Sequence, residues 1–137
     1  MQLKKLLLAT LLASSTLMAV ESSEGAKLFE AKCSMCHVTQ PPQDMSKLVA
    51  PPVFGVMRHI KMKYDNKADA LAFMRDYVIN PDAKKALCKP QKLKRFGVMP
   101  SQKGNVTQEE LEKITEWMYD NFPPKNFHGG MFRMQQQ

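Results

Sequence analysis

The chain has 137 residues, a formal charge of +7, 44% hydrophobic and 24% charged residues. That length holds one domain, and a mean hydropathy of −0.37 excludes a chain that crosses a membrane many times. The charge and aromatic content exclude wholesale disorder, and three Cys are too few for a disulfide-dense scaffold.

The N-terminus reads as a targeting segment. Lys4 and Lys5 precede an apolar run over 6–12, and Ser14, Ser15 and Thr16 end its core before Ala19 offers a small residue for cleavage. This order of charge, apolar run and small residue is that of a secretory signal, assigned to 1–19. An uncleaved N-terminal anchor is the alternative, but the run falls near or below the ~18–20 residues needed to span. Loss of Lys4 and Lys5 with the leader takes the charge from +7 to +5. The expected location is the periplasm, and the mature chain has no further apolar run to form a span. An odd number of Cys in an oxidising compartment asks for a chemical role beyond pairing.

Residues 21–36 are predicted to form the first helix, with Ser22 or Ser23 as N-cap and Glu24 in the first turn. Leu28 and Phe29 give it an apolar patch. A loop over 38–52 follows, broken by Pro41-Pro42 and Pro51-Pro52, and 53–60 is short helix or irregular chain. Asn66 opens the next helix with Asp69 three residues on, and Leu71, Met74 and Val78 follow at helical spacing until Asn80-Pro81 ends it. Residues 82–88 are read as one more short helix, and 91–106 as a loop punctuated by Gly97, Pro100 and Gly104. The clearest helix covers 107–122, with Thr107 and Glu110 as a capping box and a stripe of Leu111, Ile114, Met118 and Phe122. Glu109 and Lys113 support it as an i,i+4 pair. Pro123-Pro124 stops it, and a mobile tail is expected over 125–137. No segment alternates apolar and polar residues, so the fold class is all-α. The stripes are short and the loops long, so something other than protein is expected at the centre.

Cys33-Ser34-Met35-Cys36-His37 carries the chemistry. C-x-x-C-H is the attachment pattern of a c-type haem. Thiols three residues apart at a helix end face the same way. They can each form a thioether to one edge of a porphyrin, while His37 turns its imidazole to the iron. A zinc site lacks a second ligand pair, although Cys88 and His59 could complete one by coincidence. A thioredoxin-type dithiol lacks its βαβ setting, and a plain Cys33–Cys36 disulfide leaves His37 unexplained. Candidates for a second axial ligand are His59, His128 and the Met residues. Met99 stands out in the loop Phe96-Gly97-Val98-Met99-Pro100, where Gly97 loosens the backbone and Pro100 stiffens it. Met45, Met57, Met62, Met74 and Met118 are assigned to packing.

These residues resemble the class I, monohaem c-type cytochromes over nearly all of 20–124. Gly25, Leu28 and Phe29 are similar to that family's first helix, and Cys33, Cys36 and His37 match its haem motif. Ala50-Pro51-Pro52-Val53-Phe54-Gly55 looks like its proline loop, and Met99-Pro100 matches its distal loop. Residues 111–119 look like its last helix, which crosses the first near Gly25. The resemblance implies a class I cytochrome c fold: a few short helices and long loops wrapped around one covalently attached haem c. It implies Cys33 and Cys36 as thioethers, His37 and Met99 as axial iron ligands, and the Pro51 carbonyl as acceptor for the His37 Nδ1–H.

With both axial positions filled by protein, no open site is left for a substrate, so electron transfer rather than catalysis is expected and no catalytic residue is assigned. The expected function is a monomeric periplasmic carrier of single electrons between redox protein partners, such as a membrane reductase complex and a terminal oxidase or peroxidase. A haem c subunit held permanently in a multisubunit periplasmic oxidoreductase, for instance one oxidising sulfur compounds, is the alternative. An open-site haem protein with Met99 off the iron, binding a gas or performing peroxidation, is a third reading. Lys84, Lys85, Lys89, Lys92, Lys94 and Arg95 crowd ahead of Met99, either as a solvated face or as a rim that steers an acidic partner. Lys61, Lys63 and Lys67 form a second group. Export and the lack of any recognition motif speak against nucleic acid.

Overall fold

The computed structural model describes residues 16–127. Five helices follow one another, and no strand occurs among the described residues: α1 Thr16–Lys32, α2 Val53–Lys63, α3 Lys67–Ile79, α4 Pro90–Phe96 and α5 Gln108–Asn121. The all-α class is met. The leader expected over 1–19 lies outside the described residues up to position 15.

α1 and α5 make the most extensive helix contact, with α3 packed on the other flank of α5. The close approach of α1 to α5 requires Gly25. A Cβ there would sit 2.5 Å from the Lys113 carbonyl oxygen and 2.6 Å from the Trp117 Cβ. The crossing expected at Gly25 is therefore present, and it is steric in origin. Phe29 lies one turn further along α1, fully buried, its ring 5.2 Å from that of Trp117. Ion pairs line the same seam: Lys113 reaches Glu24 at 3.1 Å and Glu109 at 2.8 Å.

The core gathers Phe29 of α1, Val53, Phe54, Met57 and Ile60 of α2, Ala70, Leu71 and Met74 of α3, and Ile114 with Phe122 from α5 and its end. The capping predictions for α3 and α5 hold. Asp69 N donates to Asn66 Oδ1 at 2.9 Å, and the Thr107–Glu110 box is complete in both directions. α3 is fastened to α5 by Lys67–Asp120 at 2.7 Å and by Arg75, which reaches Thr115 Oγ1 and Glu116.

Several boundaries differ from the sequence reading. α1 begins at Thr16 and ends at Lys32, so Ser22 and Ser23 lie inside the helix rather than at its cap. α2 runs to Lys63 because Ile60 still buries its side chain in the core. Residues 82–88 form a turn and no helix. Asp82 caps it by accepting from Lys84 N at 2.7 Å, and the approach to Pro90 holds Lys89 extended, at ψ 149°. The loop expected over 91–106 instead starts with α4. Pro90 opens that helix, and Gly97 at φ 73° closes it. Met62 is 68% exposed rather than packed. At the C-terminal end Phe127 sets its ring 5.2 Å from Phe54, so the described body runs past position 124. The rest of the tail expected over 125–137 lies outside the described residues.

Candidate functional site

α1 hands its helical hydrogen bonding to one looser turn that carries the motif. Cys33 N donates to the Phe29 carbonyl at 2.8 Å, Cys36 N to the Cys33 carbonyl at 3.1 Å, and His37 N to the same carbonyl at 2.9 Å. Helix-like spacing thus persists through 33–37 although α1 ends at Lys32. Cys33 is half-buried against the core and Cys36 is exposed, and both are unpaired thiols. Burial pushes the Cys33 thiol up to about 11, with the Lys32 charge opposing the rise. It is therefore protonated at neutral pH before any attachment.

The chain then makes a long excursion and returns to His37. His37 Nδ1 lies 2.8 Å from the Pro51 carbonyl oxygen. A carbonyl can only accept, so Nδ1 carries the proton and Nε2 keeps its lone pair. Val53 N donates to the Val38 carbonyl at 3.0 Å, a second clamp across the neck of the loop. Burial disfavours the imidazolium of His37 and lowers its pKa, and the Pro51 bond opposes part of that shift. The imidazole is held neutral, oriented and ready to donate from Nε2, which is the state a metal requires.

Met99 sits half-buried in the loop between α4 and α5. Beyond it the loop is pinned to the end of α3: Ser101 Oγ donates to the Ile79 carbonyl at 2.5 Å and Gln102 N to the Val78 carbonyl at 3.0 Å. Ahead of it, Arg95 donates to the Met45 carbonyl at 2.5 Å, tying α4 to the 3-10 turn Met45–Lys47. His59 lies on α2 beside Arg58 and Lys89, and burial first and these charges second lower its pKa. His128 lies outside the described residues. Among the described residues, no three His, Cys, Asp or Glu side chains gather as a metal cluster. Two unpaired thiols and one neutral imidazole do not make a four-ligand zinc site, but they do suit a porphyrin held by two thioethers and one axial nitrogen.

Residues 21–118 match the family described as cytochrome C oxidase, cbb3-type, subunit III. The chain belongs to this family of c-type cytochromes. A cytochrome of this family carries haem c bound covalently, and electron transfer is its work. An uncharacterized protein of Aquifex aeolicus is 30% identical over 112 residues, covering 72% of this cytochrome and 74% of the relative. No solved structure matches the chain at a significant level. No helix among the described residues is long and apolar enough to cross a membrane.

Sequence reasoning missed the side chains that join the two ends of the site. Lys32 donates to the Asn105 carbonyl at 2.7 Å across 73 positions, and pairs with Glu110 at 3.3 Å. Asn105 is marked by no local pattern, and Glu110 only as the capping partner of Thr107. Only the helix-terminal place of Lys32 next to Cys33 singles it out.

Proposed function

We propose that this cytochrome is an exported carrier of single electrons, with haem c tethered by Cys33 and Cys36 and ligated by His37 and Met99. The observation that carries this reading is the 2.8 Å bond between His37 Nδ1 and the Pro51 carbonyl, directly after two unpaired thiols. It leaves Nε2 as the donor atom and fixes the plane of the ring. Haem c supplies a one-electron ferric–ferrous couple.

The chain's residues set the conditions for that couple. Pro51 makes His37 the more basic ligand, which favours the oxidised state, while a neutral sulfur from Met99 favours the reduced state and would raise the potential. Cys33 and Cys36 would hold the porphyrin, and His37 and Met99 would remain the iron's protein ligands in both states, so no ligand needs to be exchanged when an electron enters or leaves. Lys84, Lys89, Lys92 and Lys94 are exposed around α4 and steer an acidic redox partner such as a reductase complex or a terminal oxidase. The signal assigned to 1–19 would deliver the chain to the periplasm as a monomer.

The test is Met99→Ala in the secreted holoprotein. The oxidised protein should lose its sulfur-to-iron charge-transfer absorption, and its potential should fall. An unchanged spectrum removes Met99 from the iron. Cys33→Ser with Cys36→Ser should release haem on a denaturing gel.

A second reading keeps the same haem but fixes the chain permanently in an oxidoreductase complex. The family's description as an oxidase subunit favours it, as do Met35 at 92% and Val49 at 65% exposure near the motif and its loop. Size-exclusion of an osmotic-shock extract separates the two. A haem-staining peak at the monomer's size supports the carrier, and co-elution with a large assembly supports the subunit.

A further inference from the structure

We propose that Lys32, Asn105 and Gln102 act as positioning residues. Together they clasp the Met99 loop to the end of α1 that bears Cys33, and this keeps the Met99 thioether on the iron. The inference rests on the Met99 ligation proposed above. The clasp is a continuous relay. Lys32 Nζ donates to the Asn105 carbonyl at 2.7 Å, Asn105 Nδ2 donates to Gln102 Oε1 at 2.8 Å, and Gln102 Nε2 donates to the Pro100 carbonyl at 2.9 Å. Pro100 follows Met99 directly. Lys32 precedes Cys33 directly. The relay therefore spans from the residue before the first thioether to the residue after the distal sulfur.

Its value follows from how little else holds that loop. α4, which leads into it, makes no helix–helix packing contact and touches the body through Arg95 on Met45. The Ser101 and Gln102 bonds to Ile79 and Val78 fix the loop to α3, which bears no motif residue. On the motif side, Val106 packs against the core that includes Phe29, and Lys32 supplies the polar tie from the residue next to Cys33. The ammonium is also anchored: it pairs with Glu110 at 3.3 Å, with both side chains only about a quarter exposed, and Glu110 itself accepts from Thr107 N at 2.8 Å. A half-buried charged donor loses less to solvent screening than a surface pair. A loop that carries a weak iron–thioether bond opens by local unfolding, and the free energy of that opening is what the clasp raises.

The test uses the secreted holoprotein and three readouts: the sulfur-to-iron charge-transfer absorption, the rate at which imidazole binds the ferric protein by displacing Met99, and global melting. Lys32→Met keeps the aliphatic stem and removes the donor. Asn105→Ala, in an exposed turn, breaks the side-chain relay and leaves the Lys32–Glu110 pair. Lys32→Met should speed imidazole binding by about tenfold, the scale of one lost charge-assisted hydrogen bond, and Asn105→Ala several-fold, the scale of one lost neutral bond to Gln102 Oε1. Lys32→Arg should restore most of the difference made by Lys32→Met. Asn66→Ala serves as the control, because it removes the cap of α3 without touching the relay or its Glu110 anchor. Wild-type imidazole rates in both variants overturn the clasp. So does an acceleration in Asn66→Ala equal to theirs at the same loss of global stability. Should Lys32→Met fail to mature, Asn105→Ala decides. A wild-type protein without the charge-transfer absorption, unchanged in Met99→Ala, overturns the Met99 ligation and the clasp together. A wild-type protein that has it, with variants that do not open, overturns the clasp alone.

Discussion

Two glycines separate packing from conformation. At Gly25 an added methyl would press on the Lys113 carbonyl and the Trp117 Cβ, both within 2.6 Å, and the first of these is backbone of the facing helix. Nothing at the contact is the free end of a flexible side chain. Gly25→Ala should therefore cost about 1–3 kcal/mol, the range for overpacking a tight contact. At Gly55, inside α2, a Cβ meets nothing within 4 Å. Gly55→Ala should gain up to about 1 kcal/mol, because alanine loses less backbone freedom than glycine on entering a helix. Denaturant midpoints at constant slope measure both, and a neutral or stabilising Gly25→Ala would mean that α1 and α5 separate easily. The Gly25 contact was legible in the sequence only through a family resemblance. Glycine by itself marks freedom or closeness, and only the facing helix tells which.

At the level of elements, capping carries more information than composition. Asn66 and Thr107 were legible because the chemistry is local: a side-chain oxygen meets an orphan N–H two or three residues on. α4 was not legible, since Pro90 reads as a breaker although proline at the first helical position is a start signal, and Gly97 reads as loop although it is the terminating residue. The turn at 82–88 failed in the opposite sense. It has a capping Asp82, but Pro90 holds Lys89 extended and stops the segment after one turn. Thr107→Ala should cost about 1 kcal/mol by leaving Glu110 N without its acceptor. The same box has a pH signature. The bond from Thr107 N, ahead of the Lys32 contacts, holds the Glu110 carboxyl below its ordinary value of 4.5. A carboxylate with a depressed folded pKa stabilises fully above its unfolded value and loses that contribution as pH falls through the folded one. Melting temperature should thus begin to drop below about pH 4.5, and Glu110→Gln should flatten that drop. An unaltered slope in the variant would show that other carboxylates govern acid unfolding.

Across the whole molecule, charge is sorted by partner. The acids of α3 and α5 are largely matched: Asp120 by Lys67, Glu116 by Arg75, Asp76 by Lys85 and Glu109 by Lys113. The Lys61 and Lys67 ammonium groups also lie 4.4 and 5.6 Å from the Tyr119 ring, so much of the second basic group is engaged within the fold. The stretch between Asp82 and Glu109 differs. It holds seven basic residues and no acid, and among its described ion pairs only Lys85 takes part. Its charge therefore projects outward from α4 and from the loop that carries Met99, where the sequence alone could show the excess but not that it lacks compensation. If this face guides an acidic redox protein, neutralising Lys92 and Lys94 to Gln should lower the second-order electron-exchange rate several-fold at low salt and make its salt dependence shallower. Lys61→Gln with Lys67→Gln removes the same two units of charge from the matched side and should leave the rate near wild type, although it breaks the bond to Asp120. Stopped-flow mixing with an acidic partner over roughly 0.01–0.3 M ionic strength covers Debye lengths from about 30 Å to under 10 Å and reads both slopes. Equal losses in the two variants would reduce the effect to net charge. Salt-independent exchange would assign the α4 face to solubility and leave recognition to the exposed apolar residues Met35, Val49 and Val98.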